Sequence, residues 1–297
     1  MANSIALVTK YQPIVDEVFK EATLTGDLES GAVQFDGSQT VKVLKVSVPD
    51  LGNYSRNSGF TAGDVTATWE SWQLTQDRGK EFSIDSMDNE ETLDQTFGAA
   101  ASAFIKTKVV PEIDAYRFAK LASKTGVSAN AVAGALAANT IIEAIDTAEA
   151  ELSEDEVPVD GRILYITPTN YQLLKQALAT KAGLSRIVGA SVDRNFETFD
   201  GMKVVLVPQS RFATTITVGT SGYTLSGNNI NFMIVHPSAV EAVAKHVKLR
   251  IFTPDINQSM DAYKFQYRIY HDAFVYDNKV AGIYVSKGAA ISTGSGS

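Results

Sequence analysis

The chain has 297 residues, of which 44% are hydrophobic and 20% charged, as in folded proteins and unlike disordered ones. Its net charge of −8 argues against a surface that wraps nucleic acid, because phosphate binding needs concentrated lysine and arginine. The absence of cysteine excludes disulfides, thiolate metal ligands and a thiol nucleophile.

The N-terminal stretch MANSIALVTKYQPIVDEVFK predicts a short amphipathic helix. Pro13 suits the first turn of such a helix, and Gly26 can end it. Its apolar side either packs on the same subunit or belongs to an arm that contacts another one. The stretch lacks the features of a signal peptide. We also expect no membrane span, since the sequence has no run of about 18 apolar residues.

Residues 31–84 have the pattern of a long β-ribbon. The segments QTVKVLKVSV and VTATWESWQLTQ alternate β-branched and polar residues, a wide turn-rich loop joins them, and KEFSID closes the series. Such a ribbon is marginally stable alone and needs a surface to lie against. Trp69 and Trp72 have opposite parity and should face opposite sides. Either one of them meets a partner, or both are buried within the subunit.

A charged run follows the ribbon. Behind Arg78 and Lys80 come four carboxylates: Asp85, Asp88, Glu90 and Glu91. We interpret this run as the start of a helix rather than a metal site. Asp88 can serve as the N-cap with Glu91 three residues later, and the spacing of an EF-hand is absent.

From Asp88 to Lys124 runs the longest helical signal in the chain, on the order of 50 Å if nearly continuous. Pro111 should kink or interrupt this helix because it lacks a backbone donor. Gly126 should end it.

Strands and helices alternate beyond this point, which predicts an α/β layer. Ser128 is expected to cap a helix over ANAVAGALAANTIIEAIDTAEAEL. RILYIT reads as a buried strand, PTNYQLLKQAL as a helix, and DGMKVVLVP as a strand after a turn at Asp200–Gly201. NFMIVHPSAVEAVAK is predicted to be strand, turn and helix. The last segments are β-rich: KLRIF, YKFQYRIYHDAFV and KVAGIYVS.

Motifs of known chemistry are missing from the sequence. It contains no phosphate-binding glycine pattern and no G-x-S-x-G elbow, and its histidines do not form a zinc motif: His236, His246 and His271. We therefore predict a protein that is not an enzyme, with no catalytic residue, no cofactor and no metal site.

The order of elements resembles that of tailed-bacteriophage major capsid proteins with the HK97-type fold. The resemblance rests on DRGKEFSIDSMDNEETL before the long helix, GRILYITPTNYQLL, DGMKVVLVPQSRF, and NFMIVHPSAV with the downstream YRIYHDAFVYDNKVAGIYVS. It covers the whole chain and implies an α+β fold. The implied divisions are an N-terminal arm (1–30), an extended β-ribbon loop (31–85), a peripheral domain with its spine helix (86–125), an axial domain (126–240), peripheral return strands (241–280), and a final axial strand with a flexible C-terminus (281–297).

The resemblance also implies a function. Copies would assemble as pentamers and hexamers into an icosahedral phage head, built in the bacterial cytoplasm, that encloses double-stranded DNA without sequence-specific binding. The expected partners are a portal, decoration proteins and a separate scaffolding protein. The last is expected because no long N-terminal scaffolding segment is seen; the alternative is that the chain is a processed form, and Met1 favours the separate protein. The predicted inter-subunit contact residues are Trp69, Trp72, Arg78, Lys80 and Glu81. The Lys–Asn cross-link of one family member is not carried over, because no lysine of the loop can be matched to it.

Three alternatives are compatible with the sequence. An encapsulin-type compartment would share the fold but enclose cargo enzymes. An α/β enzyme with a β-rich extension is disfavoured by the missing motifs, and a tail-tube protein by the long helix and the α/β middle.

Overall fold

The computed structural model describes residues 23–29, 34–36, 40–57, 59–87, 95–131, 135–181, 196–257 and 259–291. The predicted N-terminal helix, the helix start at Asp88 and the C-terminal tail beyond 291 lie outside these residues.

The described strands are β1 (Gln34–Asp36), β2 (Thr40–Ser47), β3 (Thr66–Gln73), β4 (Gln76–Asp85), β5 (Ser128–Ala131), β6 (Ile163–Ile166), β7 (Thr198–Phe199), β8 (Met202–Leu206), β9 (Ala213–Gly219), β10 (Gly222–Val235), β11 (Val240–Phe252), β12 (Ala262–Val275) and β13 (Ile283–Ala290). The longer helices are α1 (Gln95–Phe104), α2 (Val110–Ala122), α3 (Ile141–Glu154) and α4 (Pro168–Lys181).

These strands form three sheets. The ribbon sheet has the order β1-β2-β3 and the second sheet the order β11-β12-β4, and all pairs in both are antiparallel. The third sheet has seven strands in the order β5-β13-β10-β6-β8-β7, with β9 paired to β10. KEFSID therefore does not extend the ribbon, because β4 pairs along its length with β12.

The long helix is confirmed in the described part of the chain. Between α1 and α2 the residues Ile105–Val109 form a π-helical turn, and the flanking backbone stays in the right-handed helical region. From Gln95 to Ala122 this makes a rod of about 42 Å. Pro111 lies in the first turn of α2, so the interruption predicted there takes the form of a wider turn just before it. Gly126, with φ of +88°, lies in the turn that follows the helix.

The predicted helix beginning at Ser128 is wrong over its first half. Ser128 lies in β5, which pairs in parallel with β13, and the helix begins only at Ile141. The small residues of this segment suit a helix, but β13 offers its backbone a partner. Pairing within the sheet decided the outcome against local propensity.

The helix predicted at the end of NFMIVHPSAVEAVAK is also wrong over Val240–Lys245. These residues begin β11 and pair with β12, where Val240 lies opposite Val275 and Lys245 opposite Tyr270. The pattern VEAVAK suits a helix locally, but the long aromatic strand β12 satisfies its backbone groups instead. His246 consequently lies in the strand β11.

The α/β layer is confirmed, and the side chains of β6 show how it is packed. On one face of the seven-stranded sheet Leu164 and Ile166 pack with α3 and α4, and on the other Ile163 and Tyr165 pack with Phe118 of α2. All four residues of β6 are buried, as expected for a strand covered on both faces. Asp200 and Gly201 both have positive φ and form the predicted turn.

Candidate assembly surface

The exposed apolar surface is concentrated on the ribbon. In the part of the chain that the structure describes, 14 large hydrophobic side chains are exposed. Nine of them lie between residues 35 and 69: Phe35, Leu44, Val46, Val48, Leu51, Tyr54, Phe60, Val65 and Trp69. Because so much of the apolar exposure is confined to one projecting element, this element is the first candidate for an interaction surface.

The distal part of the ribbon presents an apolar strip on one face. Leu44 lies opposite Trp69 and Val46 opposite Ala67 in the β2–β3 pair, so these side chains share a face. Leu44 is 48% exposed and Trp69 60% exposed. We call this face the ribbon strip: Leu44, Val46, Ala67 and Trp69.

The root of the ribbon is anchored on the opposite face. Trp72 is only 8% exposed. Its ring stacks on Phe274 with 4.9 Å between centroids and meets Tyr276 edge-on at 5.0 Å. The indole nitrogen donates to Glu70 at 2.9 Å. The prediction that the two tryptophans face opposite sides is confirmed, and Trp72 is the one that packs inward.

A buried carboxylate holds the junction between β3 and β4. Asp272 accepts hydrogen bonds from the backbone nitrogen of Thr75 at 2.9 Å, from its hydroxyl at 2.8 Å and from the Tyr116 hydroxyl at 3.0 Å. Burial raises the pKa of Tyr116 to about 12, which keeps the phenol protonated and able to donate. Since Tyr116 is on α2, Asp272 ties the ribbon root to the long helix. Sequence reasoning missed this role, for which the only signal was an acidic residue inside an aromatic strand.

The tip of the ribbon is ordered by contacts within itself. Ser55 and Gly59 exchange backbone hydrogen bonds of 3.0 and 2.7 Å, and the Tyr54 and Phe60 rings lie 4.9 Å apart. Phe60 is nevertheless 88% exposed and Leu51 fully exposed. The tip is thus a small closed loop that presents an aromatic pair to solvent.

The predicted contact residues on β4 differ in their surroundings. Arg78 pairs with Glu112 at 2.5 Å, and Glu81 pairs with Lys264 at 2.8 Å. Hydrogen bonds from Lys264 and Gln266 lower the pKa of Glu81. Lys80 is exposed. Among the five predicted contact residues, Trp72, Arg78 and Glu81 therefore have partners in their own chain, whereas Trp69 and Lys80 face solvent.

An open cavity of 390 Å³ lies between β4, the long helix and the β9–β10 turn. Its apolar lining residues include Phe82, Phe104, Val109, Ile113 and Ile269. Its polar lining residues include three cations and one carboxylate: Arg78, Lys80, Lys108 and Glu112. We call it the helix–sheet cavity. A lining of apolar side chains and cations suits a ligand that has both apolar and acidic groups.

His271 also lines this cavity and is 1% exposed. Its Nδ1 has no hydrogen-bond partner among the described residues. Burial, with smaller contributions from the charges of Arg117 and Arg78, lowers the pKa of His271 to about 3. The imidazole is therefore neutral over the whole physiological pH range.

A pH dependence of stability follows from this burial. The unfolded chain binds a proton at His271 near pH 6.5, whereas the folded chain does so only near pH 3. The buried, neutral His271 therefore costs no stability above pH 6.5. As the pH falls from 6.5 towards 3, it lowers the free energy of unfolding by about 1.4 kcal/mol per pH unit. In urea unfolding of unassembled subunits, His271→Gln should lose less stability over this window than the natural chain. An equal change of the unfolding free energy with pH in the two chains would contradict the prediction.

Neither a metal centre nor a membrane-spanning helix is found in the described residues. Across the described ranges, no three His, Asp or Glu side chains cluster closely enough to hold a metal ion. No helix in the described part of the chain is both long and apolar enough to cross a membrane.

No protein-family model and no curated protein sequence matches the chain. Solved structures do match it. The capsid of cyanophage P-SCSP1u superposes with a TM-score of 0.63 at 15% identity, covering 91% of this chain and 89% of that one. The mature capsid of bacteriophage PhiM1 has a TM-score of 0.60 at 11% identity, covering 86% of this chain and 84% of that one. A virus-like particle from Pyrococcus furiosus has a TM-score of 0.58 at 14% identity, covering 92% of this chain and 95% of that one.

These matches confirm the predicted fold. The chain mixes three sheets with a long helix and an α/β layer, and it has the α+β, HK97-type capsid fold over nearly its whole length.

Proposed function

We propose that this chain is the major capsid protein of a tailed bacteriophage. Copies assemble as pentamers and hexamers into an icosahedral head that encloses double-stranded DNA, and the role of the chain is structural and not catalytic. The observation that carries the proposal is the exposed ribbon strip on an element anchored at its root. The similarity of the fold to phage capsids supports it.

In this proposal the ribbon of one subunit lies across its neighbour. Ion pairs at such an exposed contact contribute about 0–1 kcal/mol each. Burial of the ribbon strip, at about 25 cal/mol per Å² of apolar surface, contributes more than these pairs and must exceed the entropic cost of association. Each subunit both gives and receives such a contact, so modest pairwise energies add up to a durable shell.

The remaining described elements take the roles that the sequence suggested, except for β4. The long helix with β11 and β12 forms the peripheral domain, and the seven-stranded sheet with α3 and α4 forms the axial domain. The sequence assigned β4 to the extended loop (31–85), but its pairing with β12 favours a place in the peripheral domain. A separate scaffolding protein, a portal and decoration proteins are the further partners. The net charge of −8 suits a shell that encloses DNA without binding it strongly.

An encapsulin-type shell around cargo enzymes is the second candidate, because the virus-like particle from Pyrococcus furiosus has a similar fold. The contents of purified particles discriminate between the two: packaged DNA supports the phage head, and enclosed protein supports the compartment.

The tryptophan pair tests the proposal directly. Trp69→Ala removes the centre of the ribbon strip and should sharply lower the yield of closed particles, while the unfolding free energy of the subunit changes by only about 0.5 kcal/mol. Trp72→Ala opens the packed root and should destabilise the subunit by about 3–5 kcal/mol. Negative-stain microscopy and urea unfolding measure the two effects.

Thr68 provides the matched control, because it neighbours Trp69 but lies on the other face of β3. Thr68→Ala should assemble normally. Normal particle yield from Trp69→Ala as well would refute the role of the ribbon strip.

A further inference from the structure

The helix–sheet cavity has the size and the lining of a small-molecule site. Its volume of 390 Å³ lies within the range of about 300–1,000 Å³ that is usual for ligand sites. Three aromatic side chains contribute to its lining: Phe82, Phe104 and Tyr267. A protein cavity of about 150 Å³ holds one benzene ring, so the helix–sheet cavity has room for a fused pair of rings.

We propose that the helix–sheet cavity binds a small aromatic carboxylate. This inference goes beyond the proposed capsid role, because it concerns a site within a single subunit. The rings of the ligand would contact the aromatic and aliphatic lining residues, where ring contacts add to the burial of apolar surface. Its carboxylate would pair with the exposed Lys80 and Lys108, which also line the cavity.

Arg78 joins the three elements that line the cavity. Its Nε donates to Oε1 of Glu112 at 2.5 Å and its Nη2 to Oε2 at 3.3 Å, which connects β4 to α2. Nη2 also donates to the carbonyl oxygen of Gly219 at 2.8 Å, at the end of β9. Thr220 and Ser221 follow in the β9–β10 turn and line the cavity. These contacts fix the positions of the three elements, so the cavity is preformed, as small-molecule sites usually are.

The charges of the lining favour an anion. Arg78 and Glu112 pair with each other, so their charges offset one another. Lys80 and Lys108 remain, and no salt bridge between described residues involves either of them. Two exposed cations beside aromatic side chains suit a ligand that carries one negative charge on an aromatic body.

His271 adds a polar group without adding a charge. Its imidazole lines the cavity, is 1% exposed and is neutral at physiological pH. Its Nδ1 has no hydrogen-bond partner among the described residues. Because the ring is buried at the cavity, its NMR signals can report the arrival of a ligand there.

The proposal can be tested on unassembled subunits with naphthalene-2-carboxylate as the probe. For a ligand of this size we expect a Kd of about 1 mM or lower. NMR signals of the Ile113 and Ile269 methyl groups and of the His271 imidazole should shift during the titration. The Tm of the subunit should rise, because the probe binds the folded chain. Naphthalene-2-carboxamide has the same rings without the charge and should bind at least about threefold more weakly.

Lysine variants test the charge from the side of the protein. Lys80→Gln with Lys108→Gln should weaken binding of the carboxylate about three- to tenfold and leave binding of the carboxamide unchanged. Lys106→Gln is the matched control, since Lys106 is exposed on the same helical segment but does not line the cavity. All three lysines are exposed, so the variants should fold, which urea unfolding checks.

Two results would overturn the inference: NMR shifts confined to residues outside the cavity, or equal affinity of the double variant and the natural chain for the carboxylate. The outcome is separate from the test of the proposed function. A chain that forms shells but does not bind the probe keeps its capsid role, and a chain that binds the probe but forms no shells keeps only the ligand site.

Discussion

A chain without residues 50–64 is expected to fold normally and to form no closed particles. The hydrogen bonds and the ring contact that order this segment are internal to it, and its apolar side chains are exposed. Removal therefore costs the subunit little packing. Ser47 and Thr66 pair at the ends of β2 and β3, so a short turn can join the shortened strands.

The loss of assembly should be large because each copy loses the contact that its own ribbon makes with a neighbour. This loss is repeated at every position of the shell. Static light scattering and negative-stain microscopy measure the particles, and thermal unfolding measures the subunit. A full-length variant in which Leu51, Tyr54 and Phe60 are all serine separates the loss of apolar surface from the loss of length. It should assemble no better than the deletion. Normal shells from the deletion variant would refute the role of the ribbon tip.

The second large effect is expected at Asp272. Asp272→Ala leaves the Thr75 amide and hydroxyl and the Tyr116 hydroxyl without their acceptor. Breaking a buried, hydrogen-bonded charged group typically costs about 3–5 kcal/mol. We therefore expect the free energy of unfolding to fall by that amount, with the ribbon root released from α2.

Asp277 is the control for this variant. It lies five residues further along the chain and pairs with Lys124 at 2.7 Å, but both side chains are substantially exposed. Asp277→Ala should cost less than about 1 kcal/mol. Urea unfolding of the two variants measures the difference, and equal losses would show that Asp272 does not hold the ribbon root.

Several features could be predicted from sequence because local chemistry determines them. The alternation in β2 and β3 specified the ribbon and the opposite faces of Trp69 and Trp72. The run RILYIT specified a strand buried on both faces, Pro168 marked the first residue of a helix, and Asp200–Gly201 marked a turn. In each case the signal lies within a few neighbouring residues.

Other features depend on partners far along the chain. Ser128 and Val240 lie in segments with helical character that became strands, because β13 and β12 satisfy their backbones. Asp272 holds the ribbon root because Thr75 and Tyr116, which lie 197 and 156 residues away in the sequence, donate hydrogen bonds to it. No local sequence pattern predicts these long-range contacts.

The sequence alone determined that this protein carries a ribbon with its two tryptophans on opposite faces, a rod-like helix and an α/β layer, since periodicity and turn residues act over short distances. Only the tertiary structure decided which tryptophan is buried, which sheet β4 joins, and where an apolar cavity opens beside basic residues. Those outcomes depend on long-range strand pairing and on the burial of aromatic side chains from distant segments. The sequence thus predicted the ribbon, whereas the tertiary structure showed which of its side chains stay exposed and where the helix–sheet cavity lies.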